Sequence, residues 1–366
     1  MEPARRNGSR PAGLRVAIEA TPLTLSSGGL QRYTSELSLA LARAFPEEEF
    51  FLVSDQPFCM PAPAPGNLLR GGGPRNFLER RWWTYGLPRE LARLRAGLVH
   101  GPDFATPYLG QRPSVLTLHD LSPWMDPHWH HAVDRVRLRT PVLLKLGLAT
   151  MIVTPTESVR AQAIDRFGLH RSRVVAVPEA APSWMRPVDG PPRPTAAPYF
   201  LYAGALEPRK NLPMLVDAWR EVRRSHAVDL VIAGRARADF PGIEAEPGLH
   251  PLGEVPDSAL PALFSGAVAM VYPSAYEGFG LPVIEAMQCG CCVLATRAVA
   301  EAAGDAAAFF SGGAELVEAM RRALQSHEWL AERRGRSLAR AAEFSWERTA
   351  RLTHEVYEEA GRRFAA

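Results

Sequence analysis

The chain has 366 residues, 46% of them hydrophobic and 22% charged, which is the balance expected of a soluble globular protein and too long for one ordinary core, so two domains are expected. No apolar run approaches the length of a bilayer-spanning helix and no charged-then-apolar leader opens the chain, so a cytoplasmic location is expected. The net charge is only +3 and the basic residues are scattered rather than gathered in one stripe, which argues against nucleic acid as a partner.

Residues 1–13, polar and rich in Arg, Pro and Gly, are expected to form a disordered tail. Residues 14–18 read as a strand, followed by a loop at Ser26, Ser27, Gly28 and Gly29, after which Leu30, Tyr33, Leu37 and Leu41 repeat at helical spacing. Further strands are expected at 50–53, 114–118, 151–154 and 174–177, with helical stretches between most of them. The basic aromatic segment 80–95 is expected to be an ordinary helix that buries Trp and Leu while Arg faces water. Pro88 interrupts it, and a peripheral membrane contact has no support in the sequence.

Residues 182–198, PSWMRPVDGPPRPTAAP, are dense in proline and lack periodicity. A first domain over 14–185 and a linker over 186–198 are therefore expected. The rhythm restarts with strands near 199–203, 230–233, 267–272 and 293–295 in a second domain over 199–345. From about 346 to 366 the pattern is a helix charged on one side, expected to pack back toward the N-terminal half. Short apolar runs alternating with helical patterns predict an α/β protein with parallel sheets.

Cys289, Cys291 and Cys292 crowd one stretch and Cys59 lies far away, with no spacing that fits a zinc site. Small buried thiols are expected. Only Lys145 and Lys210 are lysine among 42 cations, so a lysine is worth locating: Lys145 sits in an apolar helical run, whereas Lys210 has informative neighbours.

Two places in the second half run from strand through loop to helix start. In the first, the strand leads into Gly204 and then Glu207-Pro208-Arg209-Lys210-Asn211, with Asn211 a good N-cap. Two cations beside a helix N-terminus at the carboxyl end of a parallel strand suit a diphosphate. In the second, a strand leads to Glu277-Gly278-Phe279-Gly280-Leu281-Pro282, and the helix that follows carries Glu285. The glycines let backbone amides approach a ligand, and two carboxylates can accept hydrogen bonds from sugar hydroxyls. Each carboxylate should address a different part of the ligand, because a diphosphate repels both.

EGFGLPVIE, with Glu277-x7-Glu285, resembles the E-x7-E signature of the family 4 glycosyltransferases. LYAGALEPRKNLPMLVDAW, LPALFSGAVAMVYPSAYEGFGLPVIEAMQCG and FSWERTA are similar to that family in the same order. In the first half SSGGLQRYTSEL, VLTLHDLSPWMDP and TPTESVRAQAIDRFGL are similar to it too, so the resemblance covers residues 14–357. It implies the GT-B fold, two Rossmann-like domains whose parallel sheets face an interdomain cleft. It also implies retaining transfer of a hexose, with the PRKN form similar to mannosyltransferase-like members.

The resemblance implies that Arg209 and Lys210 meet the donor diphosphate, that Glu285 binds the nucleotide ribose and that Glu277 faces the donor sugar. Gly278, Phe279, Gly280 and Leu281 then lie near sugar and phosphate, Gly204 among the donor-binding residues, and Gly28 and Gly29 approach from the other domain. His119 is similar to a histidine at the cleft near the anomeric carbon; by its local pattern alone, His119-Asp120 reads equally well as a polar pair capping a strand. The chain departs from the family in having Cys291 and Cys292 where Thr-Pro is common, and in a shorter loop after Thr296 that lacks a Pro before Glu301.

No cofactor and no metal are expected: there is no D-x-D triplet, and His128, His130 and His131 read as a solvated loop. The expected partners are a nucleoside diphosphate sugar, GDP-mannose being preferred, and an acceptor that is a glycan, a lipid-linked sugar or a small molecule, with acceptor contacts expected from loops near residues 124–131. Two rivals differ in class. A dinucleotide-dependent oxidoreductase needs a G-x-G-x-x-G turn, which is absent. A relative that binds sugar nucleotide without transfer differs only in turnover.

Overall fold

The computed structural model describes residues 13–130, 133–191, 194–237, 240, 242–244 and 246–365. The expected tail and His131 lie outside the described residues, Gly13 excepted.

The N-terminal sheet holds β1 (Arg15–Glu19), β2 (Glu49–Val53), β3 (Leu68–Arg70), β4 (Leu98–Gly101), β5 (Ser114–Thr117), β6 (Met151–Thr154) and β7 (Val174–Ala176). They pair in parallel in the order β3-β2-β1-β4-β5-β6-β7. The helices of this half are α1 (Gly29–Ala44), α2 (Leu87–Arg93), α3 (Asp134–Lys145) and α4 (Glu157–Phe167). The second sheet repeats the design with β8 (Tyr199–Ala203), β9 (Asp229–Ala233), β10 (Leu249–Gly253), β11 (Ala269–Tyr272), β12 (Val293–Ala295) and β13 (Ala308–Phe309), in the order β10-β9-β8-β11-β12-β13. Its helices are α5 (Leu212–Arg223), α6 (Leu260–Gly266), α7 (Leu281–Gln288), α8 (Ala300–Ala303), α9 (Gly313–Gln325) and α10 (His327–Ala341), and α11 (Trp346–Ala365) closes the chain.

Strands such as Phe200-Leu201-Tyr202 and Met270-Val271-Tyr272 are buried on both faces, which is why they read as apolar runs rather than alternations. Each sheet reverses its strand order beside its first strand, between β1 and β4 and between β8 and β11. Crevices for ligands open at such switch points, outside the carboxyl ends of the strands. Four strands escape the sequence pattern. β3 and β13 are two or three residues long, β10 is an edge strand carrying Pro251, and β4 is a four-residue run ending in His100 and Gly101.

The 80–95 segment is not one helix. A wide turn over Trp82–Gly86 precedes α2, whose first turn takes Pro88, and Trp82, Leu87 and Leu91 share a small core. Ala181 and Met185 already belong to the second core, so the crossover between sheets begins ahead of the proline cluster. From the C-terminal half, α11 returns to the first core through Trp346, Ala350, Val356, Tyr357 and Ala360. Tyr357 Oη lies 2.7 Å from His100 Nδ1, and His100 Nε2 lies 2.8 Å from Thr117 Oγ1, which ties the helix to β4 and β5. Cys289, Cys291 and Cys292 are buried, and burial pushes each thiol up to about 12; Cys59 is exposed, contrary to expectation. Among the described residues no helix is long and apolar enough to cross a membrane.

Candidate active site

The loop after β8 makes a single turn over Pro208–Lys210. Asn211 then takes the N-cap place of α5 with φ +51°, a left-handed backbone, and its side chain makes no capping bond. Arg209 and Lys210 are 7% and 6% exposed, so this loop is no solvated turn. Lys210 Nζ donates to Glu277 Oε1 at 2.6 Å and to Tyr272 Oη at 2.9 Å, leaving its third proton uncommitted. Arg209 donates through Nη2 to Glu207 Oε1 at 2.6 Å and through Nη1 to the Tyr276 carbonyl, and its Nη1 stands 3.3 Å from Glu277 Oε2. Among the described residues its buried Nε–H has no partner.

The loop after β11 brings Glu277 to these cations and then feeds α7. Gly280, the N-cap, has φ +95°, and a side chain there would also strike Val299 at 2.6 Å. Among the described residues the backbone amides of 278–280 donate to no protein acceptor. Three free amides next to a helix N-terminus form an anion-binding concavity. Glu285, in α7, is 1% exposed and accepts from Arg32 Nη1 at 2.5 Å. The two glutamates thus sit in separate ion networks.

The N-terminal half closes directly on this loop. At Gly278 a Cβ would lie 1.9 Å from the His119 carbonyl oxygen, so no larger residue fits between the halves. Thr156 Oγ1 donates to the Gly278 carbonyl at 3.0 Å, and Leu121 N donates to Tyr276 Oη at 3.1 Å. Ser26 and Ser27 hydroxyls donate to Glu254 Oε1 at 3.0 and 2.5 Å. His119 is held by the Pro102 carbonyl at Nε2, 2.7 Å, and by Glu179 at Nδ1, 3.3 Å. Between the halves lies a cavity of about 430 Å³. Gly28, Gly29, His119, Gly204, Arg209, Lys210, Glu277, Gly278, Phe279, Gly280, Leu281 and Glu285 all line it, so every site residue read from the sequence meets in one place.

Two family models match the chain: Glycosyltransferase Family 4 over residues 27–181 and Glycosyl transferases group 1 over 197–326. The O-antigen chain mannosyltransferase B of Escherichia coli is 30% identical over 94% of this chain and 100% of that protein. The chain belongs to the family 4 glycosyltransferases. In fold it is similar to sucrose-phosphate synthase from Thermosynechococcus elongatus, with TM-score 0.72, 19% identity and 94% and 98% of the two chains covered. It is also similar to Anabaena HepE in complex with UDP-glucose, with TM-score 0.68, 14% identity and 94% and 100% covered. The architecture of the glycosyltransferase is therefore GT-B.

Burial opposes ionisation of Glu277, but Lys210 and Arg209 more than offset it and hold the carboxyl at about 2. Burial lowers Lys210 against the pull of Glu277. Burial opposes the charged form of Arg209 as well, yet Glu277, Asp120 and Glu207 keep it firmly cationic. For His119, burial is outweighed by Glu179 and Asp103, and its pKa rises above the ordinary value. Among the described residues no group of three His, Cys, Asp or Glu is placed to hold a metal ion.

Several cleft residues carry no motif that single-sequence reasoning could isolate. Glu179, Asp257 and Glu254 look like ordinary surface acids until folding gathers them, and Arg32 is one arginine among many. Arg237 donates to Glu207 Oε2 at 2.8 Å and to the Trp129 carbonyl at 2.6 Å, and its Nη1 is 3.2 Å from His130 Nδ1, so it joins the two halves. His130 is thus a half-buried interdomain residue rather than part of a solvated loop, whereas His128 is exposed beside Asp126. The short loop after Thr296 does not line the cavity. Instead Glu301 accepts the amides of Glu157 and Ser158 at 2.6 and 3.0 Å, capping α4 from across the cleft.

Proposed function

We propose that this glycosyltransferase moves a hexosyl group, mannosyl by preference, from GDP-mannose to a hydroxyl of a glycan, lipid-linked or small-molecule acceptor with retention at the anomeric carbon. The observation that carries this reading is the convergence of the Arg209–Lys210 pair, the three free amides and the separate carboxylates Glu277 and Glu285 on one cavity. The uncommitted Lys210 proton, the Arg209 Nε–H and the amides of 278–280 suit the leaving diphosphate, whose charge grows as the C1–O bond breaks. Fixed cations then do the work that a bridging metal does elsewhere. Glu277, anionic and anchored by both cations, orients sugar hydroxyls, and Glu285 accepts from the ribose. His119, held by the Pro102 carbonyl and Glu179, places its ring beside the reacting carbon. The acceptor oxygen attacks from the face that the diphosphate leaves, and its proton passes to a departing phosphate oxygen. The mannosyl preference draws on the E. coli mannosyltransferase, and the nucleotide-sugar class on the UDP-glucose complex of HepE.

The test is a panel of GDP-mannose, UDP-glucose and ADP-glucose with glycan acceptors, read as released nucleoside diphosphate and as the anomeric coupling of the product. GDP-mannose turnover that gives a product with the donor's configuration, undiminished by a chelator, is expected. A thermal shift with every donor and release from none would replace this reading with a binding protein.

A further inference from the structure

Glu285 is reached across the cleft by one cation. Arg32, from α1, stands with Nη1 2.5 Å from Glu285 Oε1 and Nη2 2.7 Å from Asp257 Oδ1, so a single guanidinium bridges two carboxylates of the opposite half. It is 8% exposed, it lines the cavity, and among the described residues its Nε–H has no partner. We infer that Arg32 is a positioning residue for the donor: paired with Glu285 and Asp257, it holds the Glu285 carboxylate in place for the nucleotide ribose, so donor affinity depends on the N-terminal half being closed over it. This rests on the reading of Glu285 as the ribose ligand.

The physical reason lies in the surroundings of Glu285. Burial raises its pKa, and Arg32 opposes that rise by charge and hydrogen bond. Asp257, ahead of α6, and Glu179, beyond β7, push it further up. Glu36 of α1 and the Cys289 thiol after α7 are the other titratable groups coupled to it, and both gain by its being neutral. Without Arg32 the carboxyl therefore takes a proton more readily, and once protonated it loses an acceptor that a ribose diol uses. Because Arg32 belongs to α1, the opposite half opposes protonation of a donor-half residue.

The experiment measures GDP and UDP affinity of the full chain by titration calorimetry from pH 5.5 to 9. Affinity should fall on the acid side as Glu285 protonates. In Arg32→Gln that acid limb moves up, because an opposite charge is lost from beside a buried carboxyl, and in Arg32→Lys it returns toward the wild type. Asp257→Asn, on a side chain 38% exposed, removes a like charge and moves the limb down. Uniformly weaker binding in Arg32→Gln with the limb unmoved would overturn the inference, as would an unmoved limb in Asp257→Asn should Arg32→Gln not fold. Glu285→Gln separates the two layers. Weak, pH-independent binding keeps the ribose reading, whereas wild-type binding removes it together with the role of Arg32.

Discussion

Both sheets of this glycosyltransferase have the same strand order at their switch points, yet their carboxyl edges are furnished differently. The C-terminal edge carries a self-contained ion cluster in which Arg209, Lys210, Glu207 and Glu277 pair among themselves at 2.6 to 3.3 Å. At the N-terminal edge His119 pairs with Glu179 at 3.3 Å, and other polar groups reach outward, Arg32 to Glu285, Ser27 to Glu254 and Thr156 to the Gly278 carbonyl. The Arg209–Lys210 cluster takes its partners from its own half, whereas Glu285, Glu254 and the Gly278 carbonyl take theirs from the opposite half. The difference teaches where to expect binding without transfer: lesions in the C-terminal cluster should abolish donor recognition, and lesions in the N-terminal face, Arg32 excepted because it holds a donor-half carboxylate, should cost turnover more than recognition.

The largest expected effect falls on the self-contained side. Lys210→Ala removes the nearer cation of Glu277 and a donor to the leaving diphosphate, so turnover should drop on the order of 10²–10³-fold and the nucleotide-induced thermal shift should largely vanish. An undiminished shift breaks the comparison outright. Next comes Gly278→Ala, whose Cβ would sit 1.9 Å from the His119 carbonyl. Closure must give way there, and misplacement by about an ångström costs on the order of 10²-fold. Nucleotide binding should weaken less than turnover, because the Arg209–Lys210 cluster is untouched while the Arg32–Glu285 contact loosens, and equal loss of both readouts would show that the halves are not separable.

A smaller effect sharpens the contrast. Arg237→Ala deletes the charged hydrogen bond to the Trp129 carbonyl and the contact with His130, while Glu207 keeps Arg209. A hydrogen bond to a charged donor is worth about 1.5 kcal/mol or more, about tenfold in the closed population. The expected signature is a tenfold lower kcat with nucleotide affinity changed less.

The same contrast explains what could be read before folding. The strand–loop–helix runs around Lys210 and Glu277 are local, so their residue types announce a diphosphate site without any knowledge of the partner half. Cross-cleft groups are separated by up to 253 residues along the chain, as Arg32 and Glu285 are, and no local pattern pairs them. Lys145 and Lys210 make the point in miniature: one is exposed at the end of α3, the other buried against Tyr272 and Glu277. The histidines near 128 looked solvated because the arginine that engages His130 lies 107 residues away. The loop after Thr296 drew attention as a departure from the family pattern, and its Glu301 turns out to cap a helix of the opposite half.

The smallest effect concerns the one helix that belongs to both halves. α11 follows the C-terminal sheet in sequence but packs on the N-terminal core, where Tyr357 and Thr117 hold the His100 ring. Tyr357→Phe should cost about 1 kcal/mol, one neutral hydrogen bond, and leave kcat unchanged. Burial pushes His100 down to about 3, so folding keeps the ring neutral. The sign follows. Above the unfolded value near 6.5 neither state binds the proton and the contribution is complete. As pH falls from about 6.5 toward 3 only the unfolded chain is protonated, and stability drops by at most about 1.4 kcal/mol per pH unit. His100→Gln should therefore flatten the acid limb of the melting profile between these values. A limb of unchanged slope would mean that the helix is held by its apolar face alone, and that the polar ring network contributes nothing to joining the halves.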